Sequence, residues 1–396
     1  MPSKQNIFLN ASTRTPIGKF GGSLRFFTAA ELGTIAAKET VFRAQIQSSD
    51  IDEVIFGCAR QAGVGPNPAR HIAFKVGCPV SVPGFTVNKA CGSGIKSIIN
   101  AYQSIALGDA DIILAGGVES MSNIPYLLMK GRWGYRLGNE ILVDAMYQDG
   151  YNCPLCEEVM GNTAENLAEK YGISRQESDE FSLLSQQRCA EAQKQNKFAN
   201  EIVPVPISDK KGHVTLFEKD EHPRPQTTLA GLAKLKPVFR ENGTVHAGNA
   251  SGITDGAASL LVYSEKKGQK LGLKAEARIV DYAVAGVDPN FMGIGPVPAI
   301  RKLLQKNGLS LSDIDLIELN EAFAVQVLAC QRELDFDMSK VNVNGGAIAL
   351  GHPTGCTGTR ITVTLIHEMK KTNASLGLAT LCVSGGMGMA LLIERV

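Results

Sequence analysis

Apolar and polar positions along this chain follow a rhythm that occurs twice. Ser49-Asp50-Ile51-Asp52 leads into an apolar run at 54–56, and Ser312-Asp313-Ile314-Asp315 leads into another at 316–319. Two short matches carry little weight alone, but the stretches downstream of the two copies are also alike. Each shows an apolar strand pattern, a turn of small residues, a helix pattern, and a second strand closed by a glycine pair. In the first half Phe85-Thr86-Val87 runs into Asn88-Lys89-Ala90-Cys91-Gly92-Ser93-Gly94. Ile95, Ile98, Ile99, Tyr102 and Ile105 then recur at helical spacing, Gly108 stops the helix, and Ile112-Ile113-Leu114-Ala115 ends at Gly116-Gly117. In the second half Val341 and Val343 lead into Asn344-Gly345-Gly346 and on to Gly351-His352-Pro353. Ile361, Leu365, Ile366 and Met369 supply the helix face, and the strand 378–383 ends at Gly385-Gly386.

Strand and helix patterns that alternate in this way predict a duplicated α/β fold of packed layers. The segment from about Glu119 to Ala247 breaks the rhythm with loops, charges and a long helical pattern over 162–200, as an insertion would. The expected organisation is therefore 1–118 plus 248–270 as the first half, 119–247 as an inserted loop domain, and 271–396 as the second half.

Composition narrows the function. The 396 residues are 44% hydrophobic, enough for a large core in one or two domains, and 40 basic against 39 acidic residues leave a net charge of +1. A chain without a global field is a poor candidate for nucleic acid or a membrane surface, so an anionic ligand must be met by local charge. No run reaches the roughly 18 apolar residues of a membrane span, residues 1–9 are too short an apolar run for a signal peptide, and Glu394-Arg395-Val396 is no peroxisomal address. A cytoplasmic protein is expected. Nine cysteines spread through a long chain point to buried or catalytic thiols and not to a disulfide framework.

Four residues stand where chemistry is expected. Cys91 lies between a strand and the first turn of a helix, where open N–H groups and the helix dipole favour a thiolate. A single cysteine is more often a small core thiol, but flanking glycines permit a ligand's close approach. His352 occupies the matching turn of the second half; a histidine in a Gly-Pro turn is commonly structural, but the duplication brings the two turns together and makes it the base for Cys91, forming an ion-pair nucleophile at neutral pH. Cys382 ends a strand and enters Val383-Ser384-Gly385-Gly386-Met387-Gly388; it is either a buried strand cysteine or a second thiol doing proton transfer at carbon. Asn320, in Asn320-Glu321-Ala322-Phe323, emerges at the same end of the sheet, as an oxyanion or water donor or as an Asx turn. Cys153-Pro154-Leu155-Cys156 lacks the second pair that zinc needs and is read as loop decoration, and no Walker loop, strand-linked GxGxxG or HExxH occurs.

At these residues the chain resembles the thiolase family, over almost its whole length. Three blocks carry the likeness: Asn88 to Gly94; Asn320-Glu321-Ala322-Phe323 with Gly345 to Pro353; and Cys382 to Gly388. Arg14-Thr15-Pro16-Ile17-Gly18, Gly116 to Ser122, and Gly248-Asn249-Ala250-Ser251-Gly252-Ile253 with Asp255 to Ala258 add to it. The resemblance is strongest to the short-chain type, through Trp133 to Gly138. It implies a layered α-β-α-β-α fold and a ping-pong acyl transfer between CoA thioesters. Two acetyl-CoA would give acetoacetyl-CoA and CoA through an acetyl-Cys91 intermediate, or the reverse thiolysis would run. His352 would activate Cys91 and Cys382 would take the α-proton. His352 and a water held by Asn320 would bind the enolate oxygen, and the backbone N–H groups of Cys91 and Ser384 would form a second oxyanion hole. CoA, as substrate and product and not as a cofactor, would pass Met160, Phe239, Ala247, Ser251, Ala322 and Phe323, with Arg224 near its nucleotide. No metal is implied, and a homodimer or homotetramer is. Val159-Met160 stands where short-chain members usually have His-Met, and Ser384-Gly385-Gly386 where three glycines are usual. The alternatives are a broad-chain degradative 3-ketoacyl-CoA thiolase and a non-catalytic acyl-CoA-binding relative. A decarboxylating condensing enzyme would carry a second histidine where this chain has Asn320.

Overall fold

The computed structural model describes residues 5–396, so residues 1–4, the start of the stretch weighed as a signal peptide, lie outside the described residues. Nine strands build the central sheet: β1 (Ile7–Arg14), β2 (Glu53–Gly57), β3 (Gly84–Val87), β4 (Ile112–Ser120), β5 (Thr254–Ser264), β6 (Ala277–Gly286), β7 (Leu316–Leu319), β8 (Leu376–Val383) and β9 (Met387–Arg395). Their order across the sheet is β7-β8-β9-β6-β1-β5-β4-β2-β3, with the two-residue strand Gly18–Lys19 paired beside β5. Outward from the centre, β1-β5-β4-β2 mirrors β6-β9-β8-β7. The outer pairs of each half are parallel and the inner ones antiparallel. Within the sheet, the halves pair where Phe8 and Leu9 meet Arg278 and Ala277. In the second half, the counterpart of β3 is a single bridge between Ile317 and Val341.

Helices cover both outer faces and fill the space between the halves. α1 (Ala29–Ala44) and α2 (Pro68–Val76) pack on the first half. α3 (Ser93–Leu107) packs centrally, as does its counterpart in the second half, the last and longest central helix, Thr354–Thr372. Their apolar faces, Ile95, Ile98 and Ile99 from one and Ile361, Leu365 and Ile366 from the other, share one core with strands of both halves. Buried on all sides, these strands read as continuous apolar runs instead of alternating ones, as in β8, Leu-Gly-Leu-Ala-Thr-Leu-Cys-Val. The helical pattern over 162–200 resolves into α4 (Met160–Tyr171) and α5 (Arg175–Lys194), separated by left-handed Gly172. Ser174 begins α5 with a capping box, its hydroxyl accepting from Glu177 N–H. After it come α6 (Pro296–Asn307) and α7 (Ala324–Leu334), which cover the second half, and then α8 (Thr354–Thr372), the central helix of that half.

Segment 119–247 is anchored by buried charge. Arg14 of β1 reaches Glu201 at 2.6 Å and Asp220 at 2.6 Å, all three shielded from solvent. Glu321, at the end of β7, accepts from Ser185 of α5 at 2.7 Å, from Asn342 Nδ2 at 2.9 Å and from Ile348 N–H at 3.1 Å.

Candidate active site

The nucleophile candidate sits on a strained turn. Ala90, just before it, has φ 45°, in the left-handed region that costs a side chain on the order of 1 kcal/mol, and Gly92 starts α3 with no side-chain cap. The second half repeats the device, with Gly351 at φ 99° preceding His352 and α8 also lacking a side-chain cap. These two turns and the end of β8 converge on one cavity of about 200 Å³, lined by Cys91, His352, Cys382 and Ser384 and walled by Met160, Phe239, Ser251, Ala322 and Phe323. Arg224 and Ala247 line a second pocket of about 230 Å³, with Gln186, His222 and Thr227. Ala247, expected along the same arm as Ser251, thus faces a different space.

Hydrogen bonds assign the imidazole's tautomer. Thr357 Oγ1 donates to Pro353 O at 3.0 Å, so it accepts from His352 Nδ1–H at 2.6 Å. That leaves Nε2 bare, and it is buried without a partner. Burial, and after it the charges of Arg360 and Arg60, push His352 down to about 3. Cys91, half-buried at the cavity, is pushed above the ordinary thiol value by desolvation; Arg60 and the N–H groups of Ser384 and of Cys91 itself pull the other way. This corrects the expectation of a helix-stabilised thiolate and a resting ion pair, because desolvation outweighs the helix terminus and both partners are neutral at neutral pH. Cys382 is driven up further, by burial first and then by proximity to Cys91.

Asn320 does not line the cavity. It is 1% exposed, its N–H donates to Thr380 O at 3.0 Å, and its side-chain Oδ1 and Nδ2 both lack a partner. An amide buried with both ends idle is what an Asx turn does not give, and it leaves a donor and an acceptor unused. Cys153 is not decoration: it ends the first strand of a small hairpin, Asn152–Cys153 against Glu158–Val159, and packs with Met160, Met292, Ala322 and Cys382.

Sequence reading passed over three contributors. Glu119 is fully buried and accepts from Ala59 N–H (3.1 Å), Arg60 N–H (3.0 Å), Thr354 Oγ1 (2.7 Å) and Gly355 N–H (2.8 Å), tying the loop after β2 to the start of α8. Thr357 fixes the histidine. Arg60, in the cavity wall, follows the carboxyl end of a parallel strand, a placement that itself signals a ligand site in such sheets.

A cavity that joins two thiols, a desolvated imidazole with a free nitrogen and backbone donors at the nucleophile defines a cysteine acyl-transfer site on a duplicated α/β scaffold. The family models for the N-terminal and C-terminal thiolase domains match residues 7–266 and 273–395, and the chain belongs to the thiolase family. It is 50% identical over 392 residues to the acetyl-CoA acetyltransferase of Allochromatium vinosum, covering 99% of this chain and 100% of that one. The crystal structure of the Bacillus anthracis acetyl-CoA acetyltransferase superposes with a TM-score of 0.97 at 47% identity, over the whole of both chains. Human mitochondrial 3-ketoacyl-CoA thiolase in complex with CoA gives 0.95 at 44%, covering 99% of this chain and 98% of that one.

Proposed function

We propose that this chain is a short-chain thiolase that condenses two acetyl-CoA to acetoacetyl-CoA and CoA, and runs the reverse thiolysis. The observation that carries this is the shared cavity of Cys91, Cys382 and a His352 whose Nε2 is free to take a proton. Cys91 gives its proton to Nε2 as sulfur attacks the thioester carbonyl. The N–H groups of Cys91 and Ser384, which reach the Cys91 sulfur in the free protein, take up the developing oxyanion. The departing CoA sulfur takes the Cys382 proton, leaving acetyl-Cys91 and a Cys382 thiolate. The burial that makes this thiol reluctant to ionise makes its thiolate a strong base, suited to the weakly acidic α-proton of a second acetyl-CoA. Protonated His352 and a water at Asn320 hold the enolate oxygen. The carbanion attacks acetyl-Cys91, and the released sulfur recovers its proton from His352.

Support for the CoA path is the wall of Met160, Phe239, Ser251, Ala322 and Phe323; the neighbouring pocket with Arg224 offers a cation to a nucleotide phosphate. The proposal extends to a cytosolic homodimer or homotetramer in acyl-CoA metabolism. Nine free cysteines need a reducing compartment, and the exposed Leu128, Met129, Trp133, Leu137 and Ile141 favour self-association.

The test is acylation together with turnover. Incubation with acetyl-CoA should add one acetyl group to Cys91, seen by intact mass and peptide mapping, and acetoacetyl-CoA should be cleaved. Cys91→Ala should lose the adduct and reduce thiolysis on the order of 10⁴-fold or more. An adduct that persists in that variant would remove Cys91 from the role. A wild-type protein that binds CoA without acylation or turnover would be a non-catalytic relative.

A further inference from the structure

Buried arginines elsewhere in this chain face carboxylates: Arg14 meets Glu201 and Asp220, and Arg360 meets Glu318 at 3.6 Å. Arg60 is different. It is 5% exposed, lies in the wall of the reactive cavity with Cys91, and has no carboxylate ion pair among the described residues. Glu119, which holds its backbone N–H, spends both oxygens on other donors. The guanidinium is nonetheless held in place. Nη1 donates to Asp149 O at 3.2 Å, Cζ lies 5.5 Å from the centre of the Tyr151 ring, and Gly150 packs against it so closely that a Cβ there would overlap the guanidinium. Nη1 carries the side chain's one hydrogen bond among the described residues, and Nε is buried without an acceptor. An anion brought into the cavity would give this guanidinium a charge-assisted hydrogen bond that it lacks.

A buried cation with no partner is costly unless an anion arrives. Resting Cys91 is a neutral thiol, the acyl-enzyme's negative charge lies on Cys382, and a bound acetyl group offers Arg60 only a methyl. The acyl group of the simplest substrate therefore brings this cation no carboxylate of its own. Resting on the thiolase reading above, we propose that Arg60 is a specificity-determining residue that selects acyl chains ending in a carboxylate. The preferred thiolysis substrate is then a 3-ketoacyl-CoA with a terminal carboxylate. Cys91 sulfur bonds to C3, the C2–C3 bond breaks, its electron pair and a proton go to C2 of the departing acetyl-CoA, and the carboxylated acyl group stays on Cys91 against Arg60. CoA thiol then displaces it, returning its proton to the enzyme.

The experiment compares kcat/KM for thiolysis of a six-carbon 3-ketoacyl-CoA with a terminal carboxylate, its neutral counterpart 3-oxohexanoyl-CoA, and acetoacetyl-CoA. Wild type should favour the carboxylated over the neutral six-carbon substrate by about tenfold or more, as expected of a site that leaves a buried polar group unpaired with the wrong ligand. Arg60→Met should bring that ratio to one or below, and Arg60→Lys should keep part of it. No charge preference in wild type, or an equal fall on both six-carbon substrates in Arg60→Met, overturns the proposal; the equal fall would assign Arg60 to the charge of Cys91 alone. Failure to cleave acetoacetyl-CoA at all would instead break the thiolase reading.

Discussion

The two halves of the molecule carry the same device to different ends. In each, a left-handed residue precedes a functional side chain, and a central helix without a side-chain cap follows; a strand leads into the first turn and the short helix Ala347–Leu350 into the second. The first half has Ala90 at φ 45° before Cys91, and the second has Gly351 at φ 99° before His352. Their surroundings diverge. Cys91 is half-open to the cavity, where an electrophile must reach it, while His352 is buried with one nitrogen tied to Thr357 and the other bare. Duplication supplied two equivalent turns. One turn then carries the nucleophile and the other a base with a bare nitrogen, and Glu119 ties the second turn's helix to the loop after β2.

Removing the base breaks this division of labour, with the largest effect expected in the pair. His352→Asn should lower kcat/KM for acetoacetyl-CoA thiolysis by about 10²–10⁴-fold. Because His352 is held near 3 and Cys91 above its ordinary value, alkylation of free Cys91 by iodoacetamide should show no inflection between about pH 5 and 8 and rise only in alkali. A midpoint near neutrality would restore the resting ion pair. Stability should carry the same mark. Between the ordinary histidine value and about 3 the unfolded chain binds a proton that the folded chain refuses. The stability is thus complete above that window and is lost as pH falls through it. Urea midpoints taken from about pH 7 to about pH 5 should fall more steeply for wild type than for His352→Asn.

A substitution before the histidine tests the second turn's backbone. In Gly351→Ala the new Cβ would overlap the Thr254 side chain at a φ that alanine resists. The neighbouring bond from His352 N–H to Gly252 O, 3.0 Å, ties that turn to the start of β5. A loss of about 2–3 kcal/mol is expected from urea unfolding. A variant as stable as wild type would mean the turn is free to relax, and His352 with it.

Much of this was legible in the chain, for a physical reason. Repeated apolar runs and glycine-rich turns are local, so the duplicated scaffold and the turns of Cys91 and His352 announced themselves. The hidden part depends on contacts distant in sequence. Glu119 and Thr354 are 235 residues apart and meet only because the halves pack together. Arg60 looked like any loop arginine until the fold withheld a carboxylate from it. The proton states of Cys91 and His352 were misjudged because a helix terminus is visible in sequence and the depth of burial is not. The CxxC at Cys153 lacks a second pair in sequence, and only the fold shows that its first cysteine packs beside Cys382.

The smallest effect is expected at the first turn, and it sharpens the comparison most directly. Ala90 N–H donates to Asn88 Oδ1 at 3.0 Å, and its carbonyl accepts from Ser93 N–H at 3.0 Å and Ser93 Oγ at 2.6 Å, so the turn is fastened by hydrogen bonds that glycine would keep. Ala90→Gly relieves on the order of 1 kcal/mol of left-handed strain and gives back about 0.5–1 kcal/mol in unfolded-chain entropy. The net change should stay within about 0.5 kcal/mol by urea unfolding, against the larger loss for Gly351→Ala. Ala90 also packs its methyl against the central core. If Ala90→Gly costs as much as Gly351→Ala, that methyl contact outweighs the relieved strain, and the two turns are held by different forces: packing in the half with the nucleophile, and backbone freedom in the half with the base.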